Sequence, residues 1–207
     1  MDASIIILTY NQAATIARAI ESVLRQKCTY SYEIVISDDG SSDNTRQIAE
    51  EYATMYPEKI RLLPQHPNLG LVGNYFHALR HCQGKYIGDC AGDDEWLDEF
   101  RLYGQIKILN SDPTISVVFT DVEEHRKESD GKMTSTLHSS DPRRRIWMKS
   151  RIPGKQLLIG SLNHTTELPY TLSAALYRKS ILDKVLAVSP KILQMEETGI
   201  EDIPIIA

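Results

Sequence analysis

The strongest constraint on this chain is an alternation. Short, unbroken apolar runs take turns with longer segments whose apolar residues recur at helical spacing. Ser4–Thr9, "SIIILT", has the continuous apolar character of a strand covered on both faces. Ile16, Ile20, Val23 and Leu24 then fall on one face of a helix. A second strand, Tyr32–Ser37, runs into "DDGSSDNT", where Ser42 or Asp43 is placed to cap a helix carrying Ile48, Tyr52 and Met55. Ile60–Leu63 reads as a third strand, followed by the loop "PQHPNLGLVGN" and a helix through Tyr75, Leu79 and Cys82 that Gly84 stops. Tyr86–Cys90 is a fourth strand. Leu102, Ile106 and Leu109 mark a helix ending near Asp112-Pro113, and Ile115–Thr120 is a fifth strand. This order predicts an α/β domain with a mostly parallel central sheet flanked by helices. Such sheets bind ligands at the carboxyl ends of their strands, so the loops after strands one, two and four are expected to converge there.

From about Glu123 to Pro153 the pattern gives way to polar, turn-rich sequence, read as a hairpin plus a mobile loop. Thr171–Tyr177 reads as a strand and Arg178–Val188 as a short helix. The 207 residues suit one domain. An expected division falls near residue 120, between an α/β half, 1–120, and a later part of the same domain, 121–207. The sequence stops inside the apolar segment "EDIPIIA", so the natural chain is expected to continue. The net charge of −5 argues against a broad nucleic-acid footprint. Cys28, Cys82 and Cys90 form no CxxC pair and read as reduced core thiols. No apolar run suffices for a signal segment or a membrane span, so a soluble, cytoplasmic protein is expected. "RRRIWMKSR" reads as a solvated loop, with peripheral contact to an anionic membrane surface as the alternative.

The stretch Gly88–Trp96, "GDCAGDDEW", holds four acids in nine positions at the end of a strand. Carboxylates this close repel one another unless a cation or a proton relieves them. No GxxxxGK[ST] or GxGxxG follows the first strand, so a cradle of backbone amides for phosphate is unsupported. The strand ends offer Asp38-Asp39 and Asp93-Asp94 instead. A divalent cation can bridge such carboxylates to a diphosphate, because Mg²⁺ and Mn²⁺ take oxygen ligands from both. The carboxylate after strand two can accept the imide N–H of a uracil, and Gly40 would let that loop turn tightly. The plainer readings are a turn with a helix cap at Asp38–Ser41 and a solvated helix start at Asp93–Glu95. Their occurrence together after successive strands favours a site.

The ordered set "TYN", "DDGS", "NLG", "GKY" and "DDEW" resembles the nucleotide-binding half of the family 2 glycosyltransferases, over about Ser4 to Leu109 with weaker echoes to Asp202. The resemblance implies the GT-A fold and a transferase that moves a sugar from a nucleotide-diphosphate donor, such as a UDP-sugar, to an acceptor hydroxyl with inversion. It implies a hexosyl or N-acetylhexosaminyl transferase in polysaccharide or surface-glycan synthesis, in a bacterium. A divalent metal, Mn²⁺ or Mg²⁺, is the implied cofactor, and a glycan or lipid-linked molecule the implied acceptor. Residues 1–120 would then be the nucleotide-sugar-binding half and 121–207 the acceptor-side part; Thr9 and Tyr10 would line the base and ribose, Asp38 or Asp39 would hold the base, and Asn11 and Asn74 would join the donor site. Asp93 would ligate the metal with Asp94 alongside. Asp202, with Glu201 beside it in "TGIEDIPI", would be the general base.

One position departs from that family's pattern. An acid usually stands two residues before the metal-binding Asp, where this chain has Ala91, and Asp89 lies nearby on the strand. The departure motivates a rival reading as a nucleotide-sugar-binding domain with reduced or lost turnover. A sugar-1-phosphate nucleotidyltransferase is a further alternative, against which "TYNQAAT" lacks the glycine-rich, arginine-bearing loop required. Trp96 is expected to pack beside the site, and His164 to be an ordinary loop histidine.

Overall fold

The computed structural model describes residues 1–127, 131–137, 140 and 172–188. Seven residues of the first apolar run form β1 (Ala3–Thr9), all but one of them buried. β2 (Tyr32–Asp38) is buried along its whole length. β3 (Ile60–Leu62) and β4 (Tyr86–Asp89) extend the sheet, in which β3, β2, β1 and β4 run parallel. Strands buried on both faces are near-continuously apolar, which is why "SIIILT" and "YEIVIS" show no alternation; the buried Glu33 accepts the Ser4 hydroxyl at 2.6 Å and pairs with Arg61 at 2.8 Å.

Between these strands run α1 (Ile16–Leu24), α2 (Thr45–Met55), α3 (Gly70–His81) and α4 (Arg101–Ser111). One core packs Ile5, Ile7, Ile34 and Ile36 against α1 and α4 residues such as Ile16, Ile20 and Ile106. On the other face Ile6, Val35 and Ile87 meet Tyr75, Phe76 and Leu79 of α3. The helices therefore cover both sides of the sheet, as a βαβ order requires.

The far edge is built differently. β5 (Val117–Phe119) does not pair with β4. A strand from much later in the chain, β8 (Ala175–Arg178), is inserted between them and runs antiparallel to both. The six-stranded order is β3-β2-β1-β4-β8-β5. A 3₁₀ turn (Leu172–Ala174) leads into β8, and α5 (Lys179–Val188) follows it. The expected hairpin is present as β6 (Glu123–Lys127) and β7 (Met133–Leu137). Among the described residues no helix is long and apolar enough to cross a membrane.

Several boundaries differ from the sequence reading. α3 begins at Gly70, inside the stretch read as loop. It ends because Cys82 turns to extended backbone (φ −72°, ψ 130°), so Gly84 does not stop it. The N-cap of α2 is Asn44, while the Asp43 carboxylate accepts the Thr45 N–H at 2.9 Å. Met55, expected on the buried face of α2, is exposed at the last turn. Leu172–Ala174, read as strand, form the 3₁₀ turn. The basic stretch at 143–151, His164, Glu201 and Asp202 lie outside the described residues.

Candidate active site

The carboxyl ends of β1, β2 and β4 open into a cleft of about 520 Å³. Thr9, Tyr10, Asp39, Asn74 and Asp93 all line it. Three loops separated by up to 84 residues are thus brought to one place, as the parallel topology demands. Asn11, Asp38 and Asp94 are not among the lining residues.

Parallel pairing of β1 with β2 aligns Thr9 with Asp38. The Asp39 N–H then donates to the Thr9 carbonyl at 2.9 Å. Asp38 turns away from the cleft: its carboxylate accepts the Ser41 hydroxyl and, at 3.3 Å, the Ser41 N–H. Gly40 follows with φ +77°, the left-handed conformation that the tight turn needs. Asp39 faces the cleft. Its Oδ1 accepts the Leu69 N–H at 2.8 Å, and Asn68 donates to its backbone carbonyl at 3.0 Å. Asp38 thus braces the loop, and Asp39 meets the cavity.

Asn11 adopts φ +53° and braces the same corner, its Oδ1 accepting the Ser42 N–H at 2.8 Å. Asn74, on α3, is buried and closes a reciprocal pair with Ser37. The Ser37 hydroxyl donates to Asn74 Oδ1 at 2.5 Å, and Asn74 Nδ2 donates to the Ser37 carbonyl at 3.1 Å. Behind this pair His66 and His77 meet edge to face, 4.4 Å between ring centres. His66 Nδ1 lies 3.8 Å from Asp39 Oδ1. Burial, then the neighbouring His66, His81 and Arg80, hold the His77 pKa below the usual imidazole value.

The acids of "GDCAGDDEW" are sorted by their surroundings. Asp89 is buried and accepts the Tyr177 hydroxyl at 3.0 Å, while Tyr177 and Tyr75 share a further hydrogen bond. Glu95 is held by Arg25 at 2.9 Å and Arg18 at 3.6 Å. Arg18 also donates to the Asp93 carbonyl at 3.3 Å. The Asp93 side chain is exposed at the cleft and has no ion-pair partner among the described residues. Asp94 likewise has no ion-pair partner among the described residues, and of these two carboxylates only Asp93 lines the cleft. Trp96 is buried, its indole N–H donating to the Asp89 carbonyl at 3.2 Å and Arg101 lying 3.9 Å over its ring.

Several lining residues escaped the sequence reading. Gln12 and Tyr75 carried only a loop or helix assignment, Asn68 stood in the "NLG" motif with no role assigned, and Ser173 lies far along the chain. The Ser173 hydroxyl accepts the Ala91 N–H at 3.2 Å, and Arg101 donates to the Ser173 carbonyl. Burial lowers the Arg101 pKa to about 10, so it stays cationic at neutral pH. Burial likewise raises Cys90, at the cleft floor, to about 12. That thiol is protonated and unfit for nucleophilic catalysis.

A chain 36% identical over 117 residues is EpsE of Bacillus subtilis, of which 41% is covered, against 56% of this chain. The chain spans less than half the length of the curated relatives it matches. The fold is similar to that of the mannosyltransferase PcManGT from Pyrobaculum calidifontis, solved with GDP-Man and Mn²⁺. The TM-score is 0.52 at 26% identity, over 59% of this chain and 35% of that one. It is also similar to S. aureus TarS, with a TM-score of 0.60 at 20% identity over 89% of this chain and 49% of that one. These neighbours are GT-A glycosyltransferases, and the six-stranded, mostly parallel sheet has their fold. The sequence model described as "Glycosyl transferase family 2" matches residues 4–186, nearly the whole chain, and the protein belongs to that family.

Proposed function

We propose that this protein is the donor-binding and catalytic part of an inverting, metal-dependent glycosyltransferase that uses a nucleotide-diphosphate sugar. The observation that carries the reading is the meeting of Asp39, which follows β2, and Asp93, which follows β4, in one cleft with Thr9 of the intervening β1. Asp39, its Oδ1 fixed by the Leu69 N–H, accepts a base N–H. Asp93 would hold the metal. Among the described residues no group of three or more His, Cys, Asp or Glu side chains could hold a cation unaided. An exposed carboxylate without an ion-pair partner fits a half-site that the diphosphate oxygens complete. Bound there, a divalent ion supplies neutralisation of the charge developing on the departing diphosphate.

In this reading residues 1–120 bind the donor and 121–207 serve the acceptor. Asp202, with Glu201 beside it, takes the proton from the attacking hydroxyl. A hexosyl or N-acetylhexosaminyl donor and a glycan or lipid-linked acceptor complete the proposal, which includes a cytoplasmic site of action. Ala91 favours a second reading, in which the cleft binds the donor without turning it over, because one carboxylate fewer faces the metal.

Calorimetry with UDP and GDP, with and without Mn²⁺, tests the first reading. Mn²⁺ should strengthen binding to the wild-type protein, and Asp93→Ala should remove the gain. Equal affinity with and without the metal would refute it. Metal-dependent hydrolysis of a nucleotide sugar in the absence of acceptor separates the transferase from the binding domain.

A further inference from the structure

Asp39 is supported on one side of its carboxylate. Its Oδ1 accepts the Leu69 N–H at 2.8 Å and lies 3.8 Å from His66 Nδ1. No hydrogen bond among the described residues reaches Oδ2. Both side chains are nearly enclosed, 6% exposed for Asp39 and 13% for His66. Enclosing a carboxylate is costly unless a charge or hydrogen bonds compensate it.

The partners of the His66 ring define where it can take a proton. Nδ1 stands 2.8 Å from the Pro67 carbonyl, which can only accept, so Nδ1 carries the hydrogen of the neutral ring. Nε2 faces the Ser37 hydroxyl at 3.5 Å. That hydroxyl gives its one hydrogen to Asn74 Oδ1 at 2.5 Å, so it meets Nε2 as an acceptor. A bare Nε2 therefore opposes another lone pair, and a proton there turns the contact into a donated hydrogen bond. His77 Nδ1 lies 3.4 Å from the same hydroxyl, whose second lone pair can take its N–H.

We infer that His66 is a positioning residue for Asp39, taking up a proton when a base closes over the carboxylate and holding the aspartate from behind. The inference rests on the reading of Asp39 as the base acceptor. A base that covers Oδ2 drives water from the carboxylate, and attraction to a cation beside Oδ1 strengthens as water leaves. The other charges around the ring are already engaged. On α3, His77 is 4.4 Å away between ring centres. Its pKa, lowered first by burial and then by His66, His81 and Arg80, leaves that ring neutral and donating to Ser37. On α2, Arg46 binds Glu50 and the Leu63 carbonyl, and on β3 Arg61 binds Glu33 and the His81 carbonyl. Asp38 is turned to Ser41. Among the described residues Asp39 is thus the one carboxylate within ion-pair reach of His66. The sign follows: the bound state favours the protonated ring, so affinity rises as pH falls through the imidazole range and levels off below it.

Calorimetry of UDP and GDP in Mn²⁺ at pH 8 and pH 6 tests this with wild-type protein, His66→Gln and Asp39→Asn. From pH 8 to pH 6 the wild type should gain about three- to tenfold more affinity than His66→Gln for whichever diphosphate binds, as one ion pair moved out of water supports. Protons exchanged by the diphosphate itself cancel in that comparison. Asp39→Asn, which keeps the shape and removes the charge, should lose the same gain. A merely structural role for His66 would weaken binding equally at both pH values. Nitrogen NMR of the wild-type imidazoles reads the event without a variant: Nε2 of one ring should gain its proton at higher pH with nucleotide than without. An equal pH response in wild type and His66→Gln, a gain that survives in Asp39→Asn, or no ring responding to nucleotide would overturn the inference and leave the donor reading standing. Failure of every diphosphate to bind the wild type would overturn both.

Discussion

Gly92 is where one missing side chain matters most. Its ideal β-carbon would meet the mobile tip of Gln12 but also Thr9 Cβ at 3.1 Å, and Thr9 is a β-branched residue at the end of a paired strand. Gln12 can move aside and Thr9 cannot. Gly92→Ala should therefore cost about 1–3 kcal/mol of stability, as overpacking does. It should also weaken nucleoside diphosphate binding, because the acidic loop must retreat from β1. Denaturant unfolding and calorimetry on the same variant check the two effects, and wild-type stability would contradict the close packing. At this scale the sequence was informative where chemistry is concentrated. Asp39 and Asp93 stood out as carboxylates at strand ends, whereas Gln12 did not, because a buried amide oxygen with no partner among the described residues is visible only once its surroundings are known.

α3 illustrates what element-level patterning can and cannot resolve. The spacing of Tyr75, Leu79 and Cys82 was enough to place a helix. Its start was hidden, because "NLGLVGN" contains two glycines and reads as loop by composition. The polar face of this helix carries His77, wedged between His66 and His81 with ring centres 4.4 and 4.9 Å away. Because burial and those neighbours lower its pKa below the ordinary 6.5, the unfolded chain takes up the proton more readily than the folded one. The sign follows directly. The contribution of a neutral His77 is fully present above the unfolded value and is progressively lost as pH falls below about 6.5. Thermal unfolding of His77→Gln should show a smaller loss of Tm between pH 7.5 and 5.5 than the wild type. An unaltered pH slope would assign the acid sensitivity elsewhere.

At the level of the whole molecule, the parallel half of the sheet could be read from the alternation of runs, but the insertion of β8 could not. Nothing local in "ALYR" specifies that it pairs with β4 on one side and β5 on the other, its partners in β4 being 88 or more residues away in sequence. That long return has a functional consequence. It brings Ser173 against Ala91, so the later part of the chain reaches the cleft that the earlier part builds. If residues 121–207 supply the acceptor side, donor affinity and turnover should be separable by substitution. Asp202→Asn should leave UDP or GDP affinity within twofold of wild type, roughly the noise of a remote change. The same variant should slow release of the nucleoside diphosphate from a nucleotide sugar by about 10²–10⁴-fold, as loss of a general base does. A parallel loss of affinity and turnover would instead place Asp202 among the donor contacts. Full turnover would remove it from the chemistry and direct the search for the base to another carboxylate.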